Sequence, residues 1–289
     1  MVIDAKYKSL FIFPAVGVTM VLFGVSVFAA LLGGNEATAW LGAAIASVPL
    51  PVIATYLMFG GVERTSENFP FMLLIAAAGV MVALWEQFIE GTSGWSPTSV
   101  ALAAGVLLLM YIFWYSRFGR IAVAALSVGS KLPEFELQDT DGNTFRSADL
   151  VGAPAVIMFY RGNWCPLCMA QIKEIAARYQ DMEAMGIQVV LVSPQPEEHS
   201  RRLAAQYDVP FEVLIDTGNR VAESLGIAVR NGVPIGLPGG YEPDTVLPTL
   251  VVTNENGTIV FSDQTDNYRV RPEPDVFLAI LRRSGVLAK

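Results

Sequence analysis

Four apolar runs, Leu10–Leu32, Trp40–Phe59, Phe69–Ile89 and Ser99–Tyr115, fill most of the first 120 residues of this chain. Each comes near the roughly 20 residues that a helix needs to cross the hydrocarbon layer of a bilayer. The first run is longer than the apolar stretch of a signal peptide, and three more follow it, so it reads as a retained anchor. Trp40, Trp85, Trp95 and Trp114 fall at run ends or in short loops, where interfacial belts place tryptophan. Pro49 and Pro51 interrupt the second run, and proline removes a helix hydrogen bond and crowds the preceding turn. A kinked helix is expected there, with a re-entrant segment as the alternative.

Charge divides the chain in the same place. Residues 1–130 hold five basic and six acidic side chains, whereas the remainder holds 14 and 21. The second part has the composition of an ordinary acidic soluble domain, and neither part is basic enough to hold nucleic acid. The basic residues of the first part are Lys6 and Lys8 before the first run, Arg64 between the second and third, and Arg117 and Arg120 after the fourth. The loops Gly33–Ala39 and Glu90–Thr98 contain none. All five fall on one side of a four-span arrangement, which the positive-inside rule assigns to the cytoplasm. The expectation is a multi-pass protein of a bacterial-type inner membrane with its second part in the cytoplasm. A periplasmic second part is the alternative, because disulfides persist outside the cytoplasm. With no cysteine or histidine in the first part, its expected role is anchorage in the lipid bilayer; Glu86 near a run end reads as interfacial.

The two cysteines of the chain, Cys165 and Cys168, lie in Phe159-Tyr160-Arg161-Gly162-Asn163-Trp164-Cys165-Pro166-Leu167-Cys168. The apolar run Val156–Phe159 before them reads as a buried strand, and Met169–Ala177 after them as a helix. Cys165 would therefore stand at a helix N-terminus. Free N–H groups and partial positive charge there favour a thiolate. Pro166 suits the first helical position. Cys168 follows one turn later, a spacing that fits a nucleophile and its resolving partner. Zinc is disfavoured, since four ligands are usual and the one histidine, His199, is in another segment; His199 reads as structural and away from the motif. Inert buried thiols are a weaker reading than redox chemistry.

From Lys131 onward strands and helices alternate. Phe135–Leu137 and Thr144–Arg146 flank Asp139-Thr140-Asp141-Gly142-Asn143, a hairpin signal. A helix is expected from about Cys165 to Met185, strands at Ile187–Val192, Phe211–Ile215, Pro248–Thr253 and Thr258–Phe261, and helices at Pro196–Tyr207, Gly218–Leu225 and Pro274–Arg283. The expected architecture is α/β: a mixed central sheet with helices on both faces and an antiparallel edge, preceded by four transmembrane helices. The expected domains are 1–120 in the membrane, a linker over 121–130, and 131–289. Val229–Asp244 is rich in Gly and Pro, reads as a loop and is expected to border the active face.

Leu132-Pro133-Glu134-Phe135-Glu136-Leu137, Asp141-Gly142, the cysteine motif and Leu247-Pro248-Thr249, in that order, resemble the redoxin branch of the thioredoxin fold, the alkyl hydroperoxide reductase/thiol-specific antioxidant (peroxiredoxin-like) family. The resemblance implies a thioredoxin-like fold, Cys165 and Cys168 as catalytic pair, and Arg161, Trp164, Leu247 and Pro248 as substrate-binding or thiolate-supporting residues, with Pro248 in the cis form. Two departures stand out. The Thr or Ser that peroxiredoxins place three residues before the peroxidatic cysteine is Gly162 here, and the Pro seven before is Met158. The thiolate-supporting arginine has no match near Pro248; Arg161, Arg269 and Arg271 are candidates, with Arg271 read as a solvated surface charge and Arg161 evenly balanced between the two roles.

The reading that follows is a membrane-anchored thiol–disulfide oxidoreductase. Its alternatives are a thiol peroxidase reducing hydroperoxides, including lipid hydroperoxides, and a non-catalytic redox-sensing scaffold. The implied partners are a disulfide or hydroperoxide substrate and an external thioredoxin- or glutathione-like reductant, with no metal or organic cofactor.

Overall fold

The structure, a computed structural model, describes residues 3–91, 93–207 and 209–283. The chain divides into two compact units, one made of residues 10–117 and the other of residues 1–9 with 118–289.

The first unit is helical. α1 (Lys6–Leu32) starts in the other unit and continues into this one; α2 (Ala37–Ser47), α3 (Pro49–Phe59), α4 (Pro70–Trp85) and α5 (Trp95–Leu109) follow. α2 and α3 together, α4 with a π-helical turn to Glu90, and α5 with one to Tyr115 give spans of 23, 21 and 21 residues. With α1 they are four helices long and apolar enough to cross a membrane. The expected break in the second run falls at Val48, directly before Pro49. Pro49 and Pro51 then occupy the first turn of α3, where a missing N–H is tolerated. α2 crosses α4 at small residues: a Cβ added to Gly42 would lie 2.8 Å from the Gly79 carbonyl oxygen and 2.9 Å from the Ala83 nitrogen. The two backbones are in contact there, the close approach that small residues permit between membrane helices.

The second unit holds β1 (Ile3–Asp4), β2 (Glu136–Asp139), β3 (Thr144–Arg146), β4 (Ala155–Phe159), β5 (Gln188–Ser193), β6 (Glu212–Ile215), β7 (Ala228–Arg230), β8 (Thr245–Val246), β9 (Thr249–Thr253) and β10 (Ile259–Asp263). Its helices are α6 (Pro166–Ala177), α7 (Tyr179–Ala184), α8 (Glu197–Gln206), α9 (Arg220–Ser224) and α10 (Pro274–Arg283). Seven strands form a mixed sheet in the order β10-β9-β4-β5-β6-β2-β3. β4, β5 and β6 run parallel, while β9 and β10 on one side and β2 and β3 on the other are antiparallel. β4 and β9 are buried along their whole lengths, and β5 at all but its first residue, so their continuous apolar runs suit the middle of a covered sheet. The β2–β3 hairpin closes where expected, with the Asp139 carboxylate accepting from the Asp141 and Asn143 backbone N–H groups, both at 2.8 Å.

Several expectations are corrected. Residues 121–130 are not a free linker: Leu126 is fully buried in the sheet core, and Gly129 N–H donates to the Ile259 carbonyl at 2.8 Å. Residues up to Ser9 group with the C-terminal unit rather than with the membrane helices, because β1 pairs parallel with β7 and builds a second sheet, β1-β7-β8. The helix expected over Cys165–Met185 is two helices, broken at Arg178, whose φ of −103° and ψ of 8° are not helical. Its guanidinium pairs with Asp181 and with Asp275 of α10.

Candidate active site

β4 and β5 run parallel, so the loops that leave their C-terminal ends emerge on one edge of the sheet. β9 runs antiparallel to β4 with Phe159 opposite Thr249, so Leu247 and Pro248 reach the same edge from the other side. Topology thus gathers the cysteine motif, the loop after β5 and the approach to β9.

Cys165 takes the N-cap position of α6 with extended dihedrals (φ −90°, ψ 106°), and Pro166 occupies the first helical position. No side-chain hydrogen bond caps this helix, so the partial positive charge of its free N–H groups stands at the cysteine end. Both thiols are free and buried, with Cys165 1% and Cys168 0% exposed. They are hydrogen-bonded to each other, and this contact links their titration. The hydrogen bond to Cys168 pushes the Cys165 thiol up, and burial adds to this. Burial would also raise Cys168, but the hydrogen bond from Cys165 and the Arg271 guanidinium outweigh it and bring Cys168 down to about 6. Arg271 Nη2 lies 3.8 Å from Cys168 Sγ, and its Nη1 reaches Gln171 Oε1 on α6 at 3.4 Å. Arg271 is therefore not a solvated surface charge: it is 6% exposed and lies against the pair.

Arg161 is also buried. Its guanidinium stacks over the Trp164 ring at 4.3 Å and donates from Nη2 to the Gly232 carbonyl at 2.6 Å. Phe118 and Tyr268 flank it at 5.8 and 5.9 Å. A desolvated cation over such faces gains about 2 kcal/mol, so the aromatic cage fixes a positive charge beside the motif. That charge favours the thiolate form of both cysteines.

Gly162 explains the departure from the hydroxyl-bearing pattern. Its φ is +138°, a region that only glycine occupies without strain. A Cβ at this position would lie 2.8 Å from the Trp164 ring. The loop that brings Trp164 under Arg161 leaves no room for a threonine or serine side chain.

Gln195, in the loop after β5, holds this loop in place. Its Oε1 accepts from Asn163 N–H at 2.8 Å, and its Nε2 donates to Asn163 Oδ1 and Tyr160 Oη, both at 3.0 Å. His199, expected to be remote, is adjacent: Asn163 Nδ2 donates to its carbonyl at 2.8 Å. Its ring stacks on Tyr241 and meets the Gly239 carbonyl through Nε2 at 2.6 Å, which is a structural use. The loop between β7 and β8 does border the motif, through Gly232 and Gly239.

Leu247 is buried in the core and its N–H donates to the Ile227 carbonyl. The expected cis bond before Pro248 is absent, as are cis bonds among the described residues generally. Pro248 instead directly precedes β9 in the trans form, with its carbonyl accepting from Arg120 Nη1 at 2.9 Å. Arg120 also donates to Thr249 Oγ1 at 2.9 Å. It is thus part of this edge and not a loop charge. Sequence reading missed Arg120 and Gln195. Gln195 was findable, since loops at the C-terminal ends of adjacent parallel strands meet. Arg120 carried no local signal.

A buried dithiol at the N-terminus of the helix that follows a central strand, in a mixed sheet flanked by helices, is the arrangement of a thioredoxin-like fold. Residues 128–262 match the model of the AhpC/TSA family. Peroxiredoxin Q of rice (Oryza sativa subsp. japonica) is 30% identical over 108 residues, covering 37% of this chain and 50% of the relative. The thiol-disulfide oxidoreductase ResA of Bacillus subtilis is 24% identical over 163 residues, covering 55% of this chain and 81% of the relative. The chain spans about half the length of the peroxiredoxin Q relatives it matches. Among solved structures, peroxidoxin BcpB of Mycobacterium tuberculosis aligns with a TM-score of 0.45 at 22% identity, covering 55% of this chain and 97% of that one.

Proposed function

We propose that this chain is a membrane-anchored thiol–disulfide oxidoreductase in which Cys165 is the nucleophile and Cys168 the resolving cysteine. The observation that carries the reading is the buried, hydrogen-bonded dithiol at the start of α6, with Arg271 beside Cys168. As Cys165 attacks a substrate disulfide, its proton passes to Cys168, one substrate thiolate leaves, and a mixed disulfide forms on Cys165. Cys168 then loses its proton and attacks the Cys165 sulfur. The second substrate thiol departs, leaving a Cys165–Cys168 disulfide. The substrate has gained two electrons and the pair has lost them. No third cysteine exists, so an external dithiol of the thioredoxin type, or glutathione, must restore the pair.

Peroxidase activity is the second reading, favoured by the peroxiredoxin Q relatives at 30% identity. Against it stand Gly162, which supplies no hydroxyl for a peroxide oxygen, and the absence of room for one. The deciding experiment mixes the fully reduced protein with a small disulfide or with hydrogen peroxide and follows Trp164 fluorescence. Disulfide exchange dependent on Cys165, with a peroxide reaction no faster than that of a free thiol, supports the first reading. Fast Cys165-dependent peroxide reduction overturns it.

The reading places the redox unit on the cytoplasmic side. Four crossings return the chain to the side from which it started, in keeping with residues up to Ser9 sharing a compact unit with residues 118–289. Lys6, Lys8, Arg64 and Arg117 carry the positive-inside argument once Arg120 is removed from it.

A further inference from the structure

We propose that residues 3–9, which lead into the first apolar helix and form its first turn, are a positioning element of the redox site, seating Arg161 through the turn that holds its acceptor. This rests on the dithiol being the reactive centre. The N-terminal segment clasps the loop after β7 at both ends. β1 pairs with β7, Ile3 opposite Val229 and Asp4 opposite Arg230, and Ala5 N–H donates to the Arg230 carbonyl at 2.8 Å. Asn231 Nδ2 donates to the Asp4 carboxylate at 3.1 Å. Four residues on, Ile235 N–H donates to the Ser9 carbonyl at 3.0 Å. Gly232 lies between these two clasps, and its carbonyl accepts from Arg161 Nη2.

The turn has little freedom once clasped. Asn231 sits at φ +53°, and its N–H is held by the Asp244 carboxylate at 2.9 Å. A Cβ on Gly232 would lie 2.6 Å from Thr245 Cγ2 and 2.8 Å from Val229 Cγ1. Thr245 of β8 in turn donates from Oγ1 to the Arg161 carbonyl at 2.9 Å. The small sheet therefore grips Arg161 at its head and at its backbone. β1 forms the outer strand of that sheet, and Ala5 belongs to the same core as Val229 and Val246. Without β1, β7 becomes an open edge and the Gly232 carbonyl loses its support. The charged side chains that act on the thiol pair are then Arg161 from the motif loop and Arg271 from the segment after β10, while Tyr160, next after β4, is itself pushed up by burial and by Cys168. Of these, Arg161 depends on the clasp.

The test uses the full chain in detergent, reduced, and follows iodoacetamide alkylation of the pair against pH. This reads the thiols themselves, so it is independent of whether the substrate is a disulfide or a peroxide. Asp4→Ala removes the side-chain clasp, and Ala5→Pro removes the backbone donor ahead of α1. The expected result is a midpoint raised by about half a pH unit or more in each, which is an about threefold loss of rate on the acid limb. In an Arg161→Met background the same substitutions are expected to add nothing. An unchanged midpoint in both variants overturns the proposal, as does a shift that adds in full to that of Arg161→Met. Thermal unfolding of Asp4→Ala, which alters an exposed side chain, separates a local effect from loss of the fold.

Discussion

Arg271 comes from a segment about a hundred residues beyond Cys168, yet its guanidinium lies 3.8 Å from the Cys168 sulfur. Arg271→Met is therefore predicted to raise the apparent midpoint of the pair by about one unit or more, measured by the ultraviolet absorbance of the thiolate. The sign is set by the direction of the shift. Cys168 lies below its ordinary value at about 6, so the charged form is present above that pH and reactivity falls as pH drops through it. Exchange with a small disulfide should be nearly flat from neutral to mildly alkaline pH and decline below about 6. Gly162→Ala is predicted to cost on the order of 1–3 kcal/mol, because it forces a side chain into a glycine-only conformation and into the Trp164 ring. Thermal unfolding checks this. The cysteine pair and its helix were legible because strand, turn and proline signals all lie within one local stretch. Arg271, Arg120 and the cage around Arg161 were not, since a buried arginine has the same sequence signature as a solvated one.

The long elements followed from periodicity and apolar content alone: the four membrane-length helices, the central strands β4, β5 and β9, and the β2–β3 hairpin all fall where sequence places them. The failures share a physical origin in contacts made far along the chain. β1 is two residues long and exists only because β7 offers an edge. The break at Arg178 is held by an ion pair to α10, and residues 121–130 read as linker because small residues carry no pattern. At this scale the crossing of α2 over α4 is predicted to be the least tolerant part of the helical unit. Gly79→Leu should separate the two backbones and lower the thermal midpoint of the full chain in detergent, whereas Gly17→Leu, where an added Cβ meets nothing within 4 Å, should leave it unchanged.

At the scale of the whole molecule, the unit whose helices are long and apolar enough to cross a membrane lies in sequence between residues 1–9 and residues 118–289, which group together in the other unit. Reporter fusions at the two termini should fall on the same side of the membrane, and opposite sides would remove the basis for the shared unit. The central claim is the division of labour within the cysteine pair. Its most direct measurement is the trapping of a mixed disulfide: reduced full-length Cys168→Ser protein is mixed with a peptide disulfide, and the adduct is mapped by peptide mass spectrometry. The account predicts a stable adduct on Cys165, and none on Cys168 when Cys165→Ser is tested in parallel. An adduct that accumulates on Cys168 in the Cys165→Ser protein, with none on Cys165 in its counterpart, would contradict it.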